Sequence, residues 1–461
     1  MKFDWISFAI VISLMIIGLM MIYAAGYQPD LDVPFFSTQA GRQTVFAIIT
    51  FIILISTQLI DWKFWSGVAY PFYAFTIFLL VLVLFLGSTI KGSTSWFQLG
   101  WFNFQPSELA KVGTIMALSS FLSHHRTRVA DTRDLMIASG IILVPTALVL
   151  AQGDAGSALV FLSIFVVLFR EGLAVWIPVL FFVLALLFIL ALKFDVWAVL
   201  PLLLFAGSVF LLSSLKLKQQ HVMVGLGVLA LGIGITFLGY VEAVIALAFG
   251  FMVYASVESI RARQTRQVML LSTAVVFLFG FSYLSSYLFE NVLEPHQQDR
   301  LNVWIKPEEA DPRGSLYNIL QSKIAIGSGG FSGKGYLEGT MTKLNYVPEQ
   351  STDFIYSIIG EEHGFVGSIA VIILFMILML RIVDIGERAR MPFIRHYAYG
   401  VVGIVFTHFL VNIGMTMGIM PVIGIPLPFI SSGGSSLVGF GLLIGVLLSM
   451  DSSWMRLRRA V

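Results

Sequence analysis

The stretch Asp311–Gly335, DPRGSLYNILQSKIAIGSGGFSGKG, sets a carboxylate, cations and a run of glycines into a chain that is 58% hydrophobic and 12% charged. Asp311 precedes Pro312, which biases the aspartate towards an extended or turn conformation. Glu308, Glu309, Arg300 and Arg313 flank it. Neighbouring like charges push a carboxylate towards the range of a working base, and neighbouring cations pull it back. Six glycines follow between Gly327 and Gly339. Such density permits turns with positive φ and close approach of backbone to a ligand. GSGGFSGKG is not a phosphate loop, because the GxxxxGK spacing is absent and Gly335 follows the lysine.

A second set of ionisable groups lies in or beside apolar runs, where each costs about 2.5–3.5 kcal/mol at mid-bilayer and suggests function by default. In FQPSELAK, Pro106 suits the first turn of a helix. Glu108 and Lys111, three apart, then share one helical face. The bland alternative is an ion pair that only locks helices together. Asp154, in AQGDAGS, suits a helix N-cap. Asp353, Glu361 and Glu362 open the apolar run after the polar loop, and the spacing of eight returns 353 and 361 to nearly the same face of one helix.

The elements that must position these groups are membrane helices. Residues 173–192 form a twenty-residue window without a charge, long enough to span a bilayer. Hydropathy places about fourteen spans, near 6–25, 43–60, 69–87, 107–123, 135–151, 156–170, 173–193, 197–214, 221–238, 240–257, 267–288, 355–381, 395–418 and 434–450. The first is too long for a signal-peptide core and reads as a retained helix. Alternate loops collect 18 of the 28 Lys and Arg residues, among them Lys2, Lys63, Arg126, Arg128, Arg133, Arg170, Lys216, Lys218, Arg381, Arg388 and Arg395. Basic loops face the cytoplasm, so both termini are expected inside and the 289–351 loop outside. Glu108, Lys111, Asp154, Asp353 and Glu361 would then share the depth of the outer interface. The absence of cysteine excludes disulfides and thiolate metal sites. A net charge of +2 gives no reason to expect nucleic acid.

Four blocks carry a family resemblance: FQPSELAK, the Asp311–Gly335 stretch, LNYVPEQSTDFIYSIIGEEHGFVG and GIMPVIGIPLPFISSGGSSL. Together they resemble the SEDS family (shape, elongation, division and sporulation), and QSKIAIGSGG and PVIGIPLPF are closer to its elongation branch than to its division branch. The resemblance implies an all-α polytopic bundle of GT-C-like type, and a glycosyltransferase that polymerises lipid II into peptidoglycan strands at the outer face of the bacterial cytoplasmic (inner) membrane. It implies Asp311 as the catalytic base. It puts Lys111, Glu108, Arg300, Asp353, Glu361, Asp154, Lys323 and Ser431 among substrate-binding positions, with Gly433 and Gly434 in the same C-terminal block. A divalent cation, Mg or Mn, is a possible cofactor. The implied partners are a class B penicillin-binding protein, lipid II, undecaprenyl pyrophosphate and the lipid bilayer. The blocks cover 1–172 and 267–455. The expected organisation is therefore an N-terminal core part (1–172), inserted helices (173–266) and a C-terminal core part (267–461). Two positions depart from the family pattern: Ser95 stands where an arginine is usual, and Asp154 lies in QGDAG rather than QPDLG. Lys91 is a candidate replacement for the missing charge. A lipid II transporter and a non-catalytic transpeptidase scaffold are the competing classes; a transporter would centre its site at the bilayer midplane.

Overall fold

The structure is a computed structural model that describes residues 3–27, 34–90, 92–100, 102–124, 127–194, 196–214, 227–228, 241–312 and 314–460. Lys2, Lys91, Arg126, Lys216, Lys218, Arg313 and the 221–238 span, apart from 227–228, lie outside the described residues.

The chain divides into two compact units, one made of Met1–Ala174 with Asp311–Val461, the other of Val175–Ala310. The first contains α1 (Trp5–Gly26), α2 (Gln39–Ser56), α3 (Trp62–Leu86), α4 (Pro106–Leu122), α5 (Thr132–Ala151), α6 (Ala155–Leu162) and α7 (Phe165–Arg170). The second holds α8 (Trp176–Lys193), α9 (Val196–Ser214), α10 (Val241–Arg261), α11 (Thr265–Asn291) and α12 (Pro295–Ile305). The first unit resumes with α13 (Ser315–Ser328), α14 (Thr340–Lys343), α15 (Ile355–Arg388), α16 (Pro392–Thr416) and α17 (Gly434–Ala460). A short antiparallel meander, β1 (Ser88–Ile90), β2 (Ser93–Leu99) and β3 (Phe102–Phe104), leads into α4.

Among the described residues ten helices are long and apolar enough to cross a membrane. Of the other expected spans, 221–238 lies almost wholly outside the described residues, and two have local causes. Helix α4 has only 17 residues. The 156–170 span is two short helices, parted where the Ser163 hydroxyl bonds back to the Val160 carbonyl. Helix α9 is apolar over Val196–Leu212.

The second unit begins two residues after the start of the expected insertion but runs on to Ala310 rather than 266, because α11 packs on α8 and α9. Its core gathers Leu187, Leu203, Leu211, Phe251, Met252 and Val275.

In the first unit α4 is the axis. Fifteen of its 17 residues are buried, with α3, α16 and α17 packed around it. Small residues permit the close approach of helices on which membrane packing depends. A Cβ on Gly113 would meet the Thr76 hydroxyl at 2.7 Å, and one on Gly400 would meet Ile115 at 2.6 Å. One end of this bundle is tied by ion pairs: Arg381 to Asp4 at 3.0 Å, Arg388 to Asp451 at 2.7 Å, Arg395 to Glu171 at 3.1 Å and Arg170 to Glu387 at 3.1 Å.

Candidate active site

Away from that ion-pair end, polar groups converge around the first turns of α4. Lys111 reaches Glu108 at 2.8 Å, both about 3% exposed. The pair expected from the i, i+3 spacing is therefore formed and fully buried. The Lys111 ammonium also lies 3.2 Å from His408 Nε2 on α16 and 4.8 Å above the Phe440 ring on α17. From His396, which contacts Glu171 at 3.2 Å in the ion-pair cluster, to His408 is twelve residues. At 1.5 Å per residue that separates the two clusters by about 18 Å along α16.

Asp154 caps α6 as its context suggested, accepting from the Ser157 amide at 2.9 Å and hydroxyl at 2.7 Å. Gln105, just before α4, donates to the same carboxylate at 2.9 Å. Ser95 is fully buried, its hydroxyl 2.7 Å from that of Ser93.

The C-terminal block is an irregular segment, 421–427, followed by a turn. Asn412 donates to the carbonyls of Asp353 at 2.9 Å and Ile425 at 2.8 Å. Ser431 is buried; its hydroxyl donates to the Thr352 carbonyl at 2.6 Å and accepts from the Leu427 amide at 2.8 Å. Gln43 accepts from the Gly433 amide at 3.1 Å. Residues far apart in sequence thus form one polar layer at the end of the bundle opposite the arginines.

Glu361 has a different setting from the one its spacing suggested. Helix α15 starts at Ile355, so Asp353 lies in the preceding turn and the two carboxylates do not share a helical face. Glu361 is fully buried and turned towards the polar loop. It accepts from Lys334 Nζ at 2.7 Å, the Met341 and Thr342 amides at 2.9 Å each, and the Thr342 hydroxyl at 2.8 Å.

The glycines beside it bring backbone close to the protein's own helix rather than to a ligand. Helix α15 is broken at Gly364, with φ 63° and ψ −155°. A break frees carbonyls and amides from the helical ladder. Here the loop takes them up. The Lys334 and Gly335 amides donate to the Glu361 and Glu362 carbonyls, both at 3.0 Å. The Phe365 and Val366 amides donate to the Gly330 and Phe331 carbonyls at 3.0 and 3.2 Å. Such contact leaves no room for side chains: a Cβ on Gly329 would fall 2.0 Å from the Gly360 carbonyl oxygen, and one on Gly333 2.1 Å from that of Glu362.

Asp311 opens the resumed first unit, is exposed, and its carbonyl accepts from the Gly314 amide at 3.1 Å in the turn before α13. Lys323, on α13, is exposed, with its Cε beside Gly418. Arg300, Glu308 and Glu309 belong to the Val175–Ala310 unit, Arg300 on α12. Among the described residues no three His, Cys, Asp or Glu side chains gather to hold a metal ion.

Sequence reasoning missed His408, Asn412, Gln43 and Gln105. The first two carried a signal: they are polar residues four apart within an apolar run, which places them on one helical face at membrane depth.

A model of the FtsW/RodA/SpoVE family, described as cell cycle protein, matches residues 4–206 and 214–455. It thus runs through most of 173–266, where the motif blocks are silent. The peptidoglycan glycosyltransferase RodA of Treponema pallidum (strain Nichols) is 33% identical over 462 residues, covering 98% of each chain. The peptidoglycan glycosyltransferase MrdB of Escherichia coli (strain K12) is 30% identical over 442 residues, covering 95% of this chain and 91% of its own. Among solved structures, a chain from work described as structural coordination of polymerization and crosslinking by a peptidoglycan synthase complex matches with a TM-score of 0.63 and 25% identity, over 98% of both chains. The Thermus thermophilus rod shape determining protein RodA shares the fold, with a TM-score of 0.57 at 22% identity and 98% coverage of both.

Proposed function

From its membership of the FtsW/RodA/SpoVE family, to which this chain belongs, we infer that it is a peptidoglycan glycosyltransferase of the cell-shape branch, a multi-pass membrane protein with both termini on the cytoplasmic side. The substrate is lipid II, taken from the outer leaflet. Asp311 acts as general base and removes the proton from the GlcNAc 4-hydroxyl of the acceptor. That oxygen attacks the anomeric carbon of the reducing-end MurNAc on the growing strand. The bond from that carbon to the pyrophosphate oxygen breaks, and undecaprenyl pyrophosphate leaves with the electron pair. An α donor linkage becomes β-1,4, as one displacement with inversion requires.

The observation that carries the reading is the buried ammonium of Lys111, held at the same end of the bundle as the loop that begins with Asp311. An ammonium has three donors. His408 takes one and Glu108 sits beside the charge at 2.8 Å, leaving a donor for a pyrophosphate oxygen as negative charge develops there. Asp154, Asp353, Glu361 and Ser431 support the same end, and Lys323 is a further substrate-side cation. Any divalent cation would arrive on the pyrophosphate, and no step above depends on one. A transpeptidase of the class B penicillin-binding type is the partner proposed to crosslink the product. The test is polymerisation of labelled lipid II in detergent by the wild type and by Asp311→Asn. Strand formation by the wild type and a loss of at least about 100-fold in the variant support the reading. Equal rates would remove Asp311 from the chemistry. Movement of lipid II without polymer would favour a transporter.

A further inference from the structure

His408 holds two partners whose chemistry leaves one choice for its ring. Its Nδ1 lies 2.9 Å from the Pro426 carbonyl and its Nε2 3.2 Å from the Lys111 ammonium. A carbonyl only accepts and an ammonium only donates. Nδ1 therefore carries the proton, Nε2 offers its lone pair, and the imidazole is neutral; the tautomer is assigned from these partners. The ring packs edge-on against Phe440, with centroids 4.9 Å apart, and His408 is 2% exposed. One turn further along α16, Asn412 grips the same segment, 421–427, through the Ile425 carbonyl. Helix α16 thus holds segment 421–427 at two consecutive carbonyls, and only the histidine extends that grip to the ammonium.

We propose that His408 is a positioning residue for glycosyl transfer: as a neutral, Nδ1-protonated imidazole it accepts a hydrogen bond from Lys111 and fixes that ammonium against segment 421–427 through the Pro426 carbonyl. The proposal rests on Lys111 being the cation that meets the pyrophosphate. A neutral acceptor suits that task. Glu108 already balances the ammonium's charge, so a second carboxylate would oppose the approach of an anion. An apolar residue would leave Lys111 tethered from one side only.

Two amide variants separate the histidine's two bonds. Glutamine places its carbonyl near the position of Nε2 and keeps an acceptor for Lys111. Asparagine places its amide near Nδ1 and keeps a donor for Pro426. With the full-length chain and lipid II, His408→Gln is expected to hold kcat within about threefold. His408→Asn and His408→Leu lower it by roughly 10–100-fold, the scale of an ångström's misplacement, with KM changed less than kcat. If asparagine rescues and glutamine does not, or if all three variants match the wild type, the proposal is overturned. A second measurement needs no turnover. In ¹⁵N-histidine spectra of the wild type, the His408 signal, identified by its loss in His408→Gln, shows a protonated Nδ1 and a bare Nε2; Lys111→Met moves the Nε2 resonance. A protonated Nε2, or one indifferent to Lys111→Met, sinks the proposal even if the variants fail to fold. A wild type that makes no polymer but gives the expected spectra would count against the glycosyltransferase reading and leave the His408–Lys111 link standing.

Discussion

Replacing Glu361 by glutamine keeps the side chain's shape and removes its charge at the point where the polar loop is fastened to α15. One carboxylate oxygen accepts from Lys334 Nζ and the Met341 amide, the other from the Thr342 amide and hydroxyl. A glutamine amide keeps one oxygen and turns the other into a donor. The less costly orientation points the new NH₂ at Thr342, whose hydroxyl can rotate to accept but whose backbone amide cannot. That orphaned amide costs about 1–3 kcal/mol, and the remaining bonds lose their charge assistance. A total near 3 kcal/mol follows, which at 1.4 kcal/mol per tenfold corresponds to roughly 100-fold easier local opening. Amide hydrogen exchange of the detergent-solubilised protein reads this directly, on peptides covering 334–343. The Met341 and Thr342 amides should exchange roughly 100-fold faster in Glu361→Gln, while α16 and α17 keep their protection. Exchange within about threefold of the wild type in a folded variant would mean that Glu361 does not fasten the loop.

Other substitutions probe the remaining joints. Gly364→Ala puts a Cβ 2.3 Å from the Gly333 nitrogen at a φ of 63°, so strain and clash together should cost about 3 kcal/mol or more in thermal unfolding. Gly327→Ala, with nothing within 4 Å of the new Cβ, should be neutral or stabilising by up to about 1 kcal/mol. Lys111→Met leaves Glu108 buried without its cation and should cost about 3–5 kcal/mol, most of it recovered in Lys111→Met with Glu108→Leu, where no lone charge remains. Asp4 supplies a pH test. Burial would raise its pKa, but hydrogen bonds from Ser7 and Arg381 outweigh it and hold the pKa below the ordinary 3.8. A carboxylate depressed on folding stabilises above its unfolded value and loses that stabilisation as pH falls through the folded one. The wild type should therefore be more stable than Asp4→Asn at neutral pH, and their thermal midpoints should converge below about pH 3.8.

The helical spans were legible because about twenty apolar residues in a row admit few other readings, and the Glu108–Lys111 pair and the Asp154 cap were legible because each is local. What the sequence hid is tertiary. The eightfold spacing of Asp353 and Glu361 suggested one helical face, yet the helix begins only at Ile355, so the periodicity spanned a turn and a helix. The glycines at 329, 330 and 333 matched a ligand-cradling loop as well as they match close packing. Only the position of the α15 break at Gly364, 31 to 35 residues downstream, distinguishes the two. His408 was overlooked because its partners, Lys111 and Pro426, lie 297 and 18 residues away.

The break in α15 and the glycine-rich loop are two halves of one structure. A backbone group left unpaired inside a membrane protein costs several kcal/mol, so a helix that breaks at Gly364 must find donors and acceptors elsewhere. The loop, for its part, could not stay packed as a bare glycine chain, given the entropy that glycine loses on folding. Each supplies what the other lacks, across four backbone bonds. The consequence reaches Asp311. From the pinned Gly329, α13 runs back as 14 residues of helix, about 21 Å at 1.5 Å per residue. It buries Ile319, Ser322 and Ala325 along one face, and halfway along Ser322 donates to the Thr416 carbonyl at 2.9 Å. A rod held at its end and at its middle confines its other end as well. The aspartate at the head of this loop is exposed, while its position is set from the far end of α13, where the glycines meet the broken helix.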